Sequence, residues 1–208
     1  MATYNILHDP AFPFTSRLPY VVDAVLESNA DIICLQEVAD QSLFLLLQDD
    51  QIRRRWPWCT RHDRSVMESE RNIVVLASKD FAFKWMRVEL GGKHEACVVA
   101  QLLDQHDSGS EKSIVVAAVH LSAGRSPAIL EMKRDEMTRL LAYLQEHHAA
   151  DDWVIVGDVN CRSFEALVSN DSSILDVWEE TVATAGATYD PQTNPIAAAT
   201  ARDSRTPQ

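Results

Sequence analysis

The chain has 208 residues, 46% of them apolar and 24% charged, which allows one domain with a substantial core and rules out a disordered or fibrous class. Its formal net charge of −12, from 31 acidic and 19 basic residues, repels nucleic acid at long range, so wrapping or strong non-specific DNA binding is not expected. A bound divalent cation reverses the potential locally, so a phosphate-bearing substrate stays open. No apolar run nears the ~20 residues of a membrane span. The start, MATYNIL, lacks the basic segment and long apolar stretch of a secretory signal, so a cytoplasmic or nuclear location away from membranes is expected. Cys34, Cys59, Cys97 and Cys161 form no CxxC pair and read as free thiols in a reducing compartment.

In chain order, Ala2 to Leu7 is a short β-prone segment. From Arg17 to Asn29, Leu18, Val21, Val22 and Val25 recur at helical spacing. Asp31 to Gln36 is a continuous apolar run, as in a strand buried on both faces. Asp40 to Asp49 reads as one helix. Four strands are expected next, over Trp58–His62, Asn72–Ser78, Phe83–Leu90 and Ala96–Leu103, and the polar stretch Asp104 to Lys112 reads as an exposed connection. Ser113 to Leu121 is another strand. Ser126-Pro127 starts a helix, with Ser as cap and Pro at the first helical position. Trp153 to Val156 is a buried strand that runs into Gly-Asp-Val-Asn. Strands in consecutive groups with helices at intervals predict two mixed sheets packed face to face with helices outside, a four-layer α/β (α+β) sandwich within one domain over 1–208.

Polar residues sit at the tips of four strands: Asn5 in TYNIL, Gln36-Glu37 after DIICL, His120 in VVAAVHL, and Asp158 and Asn160 after VIVG. Taken singly, each has an ordinary alternative. Glu37 can cap a helix, Asp158 can sit in a turn, His120 can be a satisfied core histidine, and Asn5 can bond a neighbouring backbone. The ordered set carries the inference.

That set resembles the endonuclease/exonuclease/phosphatase superfamily, which cleaves phosphoester bonds with magnesium, and the resemblance runs from residue 2 to about residue 200. Asn72 to Ser78 matches a further family strand, and Arg134 sits where the family has a recurrent Arg. Asp176 to Trp178 followed by Thr188-Tyr189-Asp190 is most similar to the tyrosyl-DNA phosphodiesterase 2 branch. The resemblance implies a Mg2+ cofactor, with Mn2+ as an alternative, held by Glu37 with Asn5 beside it. Gln36 would steady Glu37. Asp158 would orient or deprotonate the attacking water, Asn160 would hold Asp158 and the phosphate, and His120 would bond a phosphate oxygen. Tyr189 and Asn72 are the implied substrate contacts, and the implied partner is a phosphodiester, as a nucleic-acid end or a small phosphoester. His147 and His148 are expected near a helix C-terminus, where the dipole suits them. His8, His62, His94 and His106 match no family position and are expected at the surface. Arg61 and Arg64 lie in a segment read as a solvated hairpin, with a phosphate contact as the alternative.

The resemblance also implies an Arg-x-Asp-Arg segment and a strand ending in Ser-Asp-His after Tyr189, and neither occurs; Arg202 to Arg205 (RDSR) has the wrong spacing. The reading is therefore a domain incomplete at its C-terminus, lacking its last strands. Its activity is expected to fall by on the order of 10²–10⁴ for want of an imidazole. Two alternatives remain: a non-catalytic remnant that binds a partner or phosphate ligand, and a family phosphatase acting on RNA, nucleotides or lipid and inositol phosphates.

Overall fold

The computed structural model describes residues 1–60, 71–91, 96–103, 113–161, 167–168, 174–181, 192 and 198. The chain divides into two compact units, Met1–Asn170 and Asp171–Gln208. The first contains β1 (Ala2–Asn5), α1 (Phe14–Glu27), β2 (Ile32–Val38), α2 (Asp40–Leu46), α3 (Asp50–Arg55), β3 (Trp58–Cys59), β4 (Asn72–Ala77), β5 (Phe83–Glu89), β6 (Ala96–Leu102), β7 (Ile114–His120), α4 (Pro127–His147) and β8 (Asp152–Asp158). The second contains α5 (Val177–Thr181). No helix among the described residues is long and apolar enough to cross a membrane.

The strands form two four-stranded sheets, ordered β1-β2-β4-β3 and β5-β6-β7-β8. Both are mixed: β1 with β2 and β7 with β8 are parallel, and the other pairs are antiparallel. Successive strand residues point to opposite faces, and this sorts the apolar side chains into three layers. Ile33, Leu35, Val74 and Leu76 pack outward with Val21, Val25, Leu43, Leu46 and Ile52 of the helices. The alternate residues Ile32, Cys34, Val75 and Ala77 meet Val98, Val116 and Ala118 of the second sheet. On that sheet's far face, Val99, Val115, Ala117 and Val119 pack with Met137, Leu140 and Leu144 of α4. The four-layer sandwich expected from the strand grouping is therefore the observed architecture.

Several boundaries differ from the expected ones. α1 starts at Phe14, one turn before Arg17, because Phe14 joins Leu18 on the same apolar layer. The helix expected over 40–49 ends at Leu46, and a second, unexpected helix follows at once, because the Asp49 carboxylate accepts from the Gln51 and Ile52 N–H groups and caps α3. β3 is two residues long, and the expected strand residue His62 lies outside the described residues. So does the 104–112 connection. The Ser126-Pro127 start of α4 is as read: Ser126 Oγ accepts from the Ile129 N–H at 3.3 Å.

Two measurements follow. Gly157 in β8 has φ +141°, and a Cβ there would lie 2.0 Å from the Val119 carbonyl oxygen. Gly157→Ala should cost at least ~2 kcal/mol; urea unfolding with an unchanged midpoint would contradict this close approach. Cys34 and Cys97 are fully buried, and desolvation pushes the Cys34 thiol up to about 12, whereas Cys59 and Cys161 are half-buried. At pH 8, iodoacetamide should modify Cys59 and Cys161 in the folded protein and reach Cys34 and Cys97 only after denaturation.

Candidate active site

The first half of the site is built where β1 and β2 end side by side. Their parallel register pairs Asn5 with Gln36, leaving Glu37 just past the pair. On the other side of β2, the step from Leu35 to Val38 spans three residues against two on β4, from Val74 to Asn72. This is a β-bulge, and Glu37 sits in it with φ +57°, a backbone conformation uncommon for a non-glycine residue. The Asn72 side chain stabilises the bulge by donating to the Val38 carbonyl at 2.8 Å. Gln36 is buried and donates to Thr3 Oγ1 at 3.0 Å and the Cys34 carbonyl at 3.1 Å, tying β1 to β2 behind Glu37.

The second half lies where β7 and β8 end, with His120 paired to Asp158 in parallel register. The Leu121 N–H donates to the Asp158 carbonyl at 2.9 Å. Asn160, at φ +50°, turns back so that its N–H donates to Asp158 Oδ1 at 2.9 Å and its side-chain amide donates to the Leu121 carbonyl at 2.9 Å. Asparagine tolerates this left-handed backbone better than most residues.

The halves meet at Asn5. Its Nδ2 donates to Glu37 Oε1 at 3.2 Å and to Asp158 Oδ2 at 3.0 Å, so one amide bridges carboxylates from two sheets. His120 Nε2 lies 3.8 Å from Glu37 Oε1 and 3.9 Å from Asp158 Oδ2. The second Glu37 oxygen accepts from the His8 N–H at 2.7 Å, and Asn5 Oδ1 accepts from the Leu7 N–H at 2.9 Å. Arg17 fastens this loop by donating to the carbonyls of Ile6, Leu7 and Phe12. Burial lowers the Arg17 pKa from its ordinary value, partly countered by Tyr4, Asp9 and Glu37.

Chemically, the two carboxylates offer hard oxygen ligands, the Asn5 amide faces them through its N–H while its Oδ1 accepts from the Leu7 N–H, and an imidazole lies alongside. Among the described residues, no group of three or more His, Cys, Asp or Glu gathers as a metal site. Magnesium, however, needs only one or two carboxylates and keeps several waters. The convergence of Glu37 and Asp158 on one amide therefore suits a small divalent cation and disfavours zinc, which prefers sulfur and nitrogen.

Asn5, Glu37, His120 and Asp158 are thus brought together, with Gln36, Asn72 and Asn160 holding the strand ends. Tyr189, Arg61, Arg64, His62, His94 and His106 lie outside the described residues. Arg134 is on an exposed part of α4, 3.4 Å from Glu131. His147 ends α4 and His148 caps it, with His148 Nδ1 3.0 Å from Asp151. The surface position expected for His8 needs correcting: it is half-buried and its N–H meets Glu37, because the chain folds back after β1. Lys133 and Glu136, which belong to no motif in the sequence, also reach the site's loops. These polar residues fall on the same α4 stripe as Met137, Leu140 and Leu144, and that placement was the available signal.

The structure is similar to several solved proteins at identities that speak to fold alone. C. elegans TDP2 matches at 19% identity and TM-score 0.68, over 88% of this chain and 53% of that one. D. rerio TDP2 complexed with single strand DNA product matches at 14% identity and TM-score 0.69, over 90% and 71%. The human Nocturnin catalytic domain with bound sulfate anion matches at 19% identity and TM-score 0.59, over 79% and 66%. The chain spans about half the length of the C. elegans protein. No curated protein matches the sequence. The model of the Endonuclease/Exonuclease/phosphatase family matches residues 2–205, and with its strand-tip residues gathered on one amide, the chain belongs to that family.

Proposed function

We propose that the chain carries the core of a divalent-metal-dependent phosphodiesterase acting on nucleic-acid ends, 5′-phosphotyrosyl ends among them. The observation that carries this reading is the meeting of Glu37 and Asp158, from different sheets, on the Asn5 amide. Mutual repulsion of the two carboxylates favours a cation beside them. Glu37, with Asn5 next to it, is the proposed ligand for magnesium or manganese, which when bound would neutralise charge on the non-bridging phosphate oxygens.

The other roles belong to the chain's own groups. Asp158, fixed through Oδ1 by the Asn160 N–H, orients the attacking water and accepts its proton. His120 donates from Nε2 to a phosphate oxygen as negative charge grows there. Gln36 keeps β1 and β2 in register so that Asn5 and Glu37 stay adjacent. Asn160 aligns Asp158 and the phosphate. Asn72 and Tyr189 are the proposed substrate contacts, Asn72 from the rim of the Glu37 bulge.

Family membership supports phosphoester hydrolysis, and D. rerio TDP2 with its single strand DNA product supports a nucleic-acid end as substrate. The net charge of −12 favours a short end held by local contacts over an extended duplex. A second reading, a phosphatase acting on nucleotides or RNA, draws support from the similarity to ANGEL2, a 2',3'-cyclic phosphatase, in complex with adenosine-2',3'-vanadate. Hydrolysis of 5′-phosphotyrosyl oligonucleotides compared with 2′,3′-cyclic nucleotides separates the two.

Titration with Mn2+, followed by electron paramagnetic resonance, should give saturable binding that Glu37→Gln weakens at least about tenfold by removing a ligand charge. Absence of saturable binding would sink the metal-dependent reading. Turnover of bis(p-nitrophenyl) phosphate, however slow, should require the metal and stop on chelation. His120→Ala should lower it on the order of 10²-fold, and turnover indifferent to chelator or to His120 would contradict the assigned roles.

A further inference from the structure

We infer that Lys133 and Glu136, buried one turn apart on α4, are positioning residues that clamp both strand-end loops of the site; the inference rests on the phosphodiesterase reading. Each is only 3% exposed, an unusual burial for Lys or Glu. Neither is idle. Lys133 Nζ donates to the Asn160 carbonyl and, at 2.8 Å, to the Gly124 carbonyl. Glu136 accepts from the Ser122 N–H at 2.9 Å and from the Ser122 hydroxyl. Charge-assisted bonds of this kind are the stronger class, and a buried charge held by backbone partners resists displacement.

The partners give the pair its meaning. Ser122 is two residues after His120, and Asn160 is two residues after Asp158. Between them the loops are laced together: the Leu121 N–H bonds the Asp158 carbonyl, and the Asn160 side chain bonds the Leu121 carbonyl. Glu136 therefore holds the loop that carries the imidazole, and Lys133 holds the loop that carries the water-orienting carboxylate. Lys133 also holds Asn160 in the left-handed backbone that lets its N–H reach Asp158. The apolar residues of the stripe, Met137, Leu140 and Leu144, dock α4 on the sheet. The two charged residues carry that docking into the site's geometry. Neither has a bond to Asn5, Glu37, His120 or the Asp158 carboxylate, so both act through the backbone.

The test uses the full chain with Lys133→Met, Lys133→Arg and Glu136→Gln. Amide hydrogen exchange by NMR needs no activity. Lys133→Met should speed exchange of the Asn160 N–H at least tenfold relative to core amides of β6, and Glu136→Gln should do the same for Ser122. In parallel, Mn2+ affinity should fall severalfold in Lys133→Met and recover most of the way in Lys133→Arg, which keeps donors for both carbonyls. A purely structural role would lower thermal stability and leave relative exchange and Mn2+ affinity at wild-type values; that result overturns the inference. Should Lys133→Met fail to fold, Glu136→Gln, which keeps one acceptor for Ser122, decides by the same two readouts. Wild-type protein that binds no Mn2+ would defeat the phosphodiesterase reading alone, and the exchange measurement would still decide whether the clamp exists.

Discussion

One amide nitrogen holds the arrangement together. Asn5 Nδ2 reaches Glu37 in its own sheet and Asp158 in the other, and without that bridge two carboxylates would face each other with only an imidazole between them. The constraint runs backwards through the fold. β1 has to lie parallel to β2 with Asn5 opposite Gln36, β7 parallel to β8 with His120 opposite Asp158, and both strand pairs have to end at the same height. A parallel pair cannot be closed by a tight hairpin. Its crossovers here are α1 and α4, and those helices form the outer layers of the sandwich.

Most of the backbone strain among the described residues gathers at the same place. Leu7, Glu37 and Asn160 have positive φ, and Gly157 adopts a conformation barred to other residues by the nearby Val119 carbonyl. The three non-glycine positions are held in place: the Arg17 guanidinium spans the Leu7 loop, Asn72 braces the Glu37 bulge, and Asn160 is anchored through its own side chain. Strained conformations of this sort persist only where the surroundings over-determine them. The density of side chain to backbone bonds around the strand tips supplies that.

Much of this was legible in the sequence, and for physical reasons. Runs such as IICL and VVAAV are uninterrupted because both faces of the strand are covered, and a polar residue ending such a run has to emerge at an edge of the layer. That is why Asn5, Gln36, Glu37, His120 and Asp158 could be picked out. The bulge could not be, because a strand buried on both faces has no alternation for an extra residue to break. The end of the first helix at Leu46 and the start of α3 at Asp50 depended on whether the Asp49 carboxylate faced solvent or the N–H groups following it, and composition does not decide this. His8 was misjudged because its contribution is a backbone N–H, which every non-proline residue possesses. Lys133 and Glu136 were hidden by their types, since charged residues on a helix are ordinarily solvated.

The inter-sheet layer has a consequence for the chemistry. Its side chains include Cys34, Ala77 and Ala118, small residues at positions where the two sheets face each other. They sit among Ile32, Val75, Val98 and Val116 in the layer behind Glu37 and Asp158, and their small size lets the two sheets approach closely there. A single added methyl deep in this layer would have to be absorbed by shifted side chains or by a moved sheet, without touching any polar atom. In this fold, the spacing of the strand tips that carry Glu37 and Asp158 rests in part on alanine and cysteine.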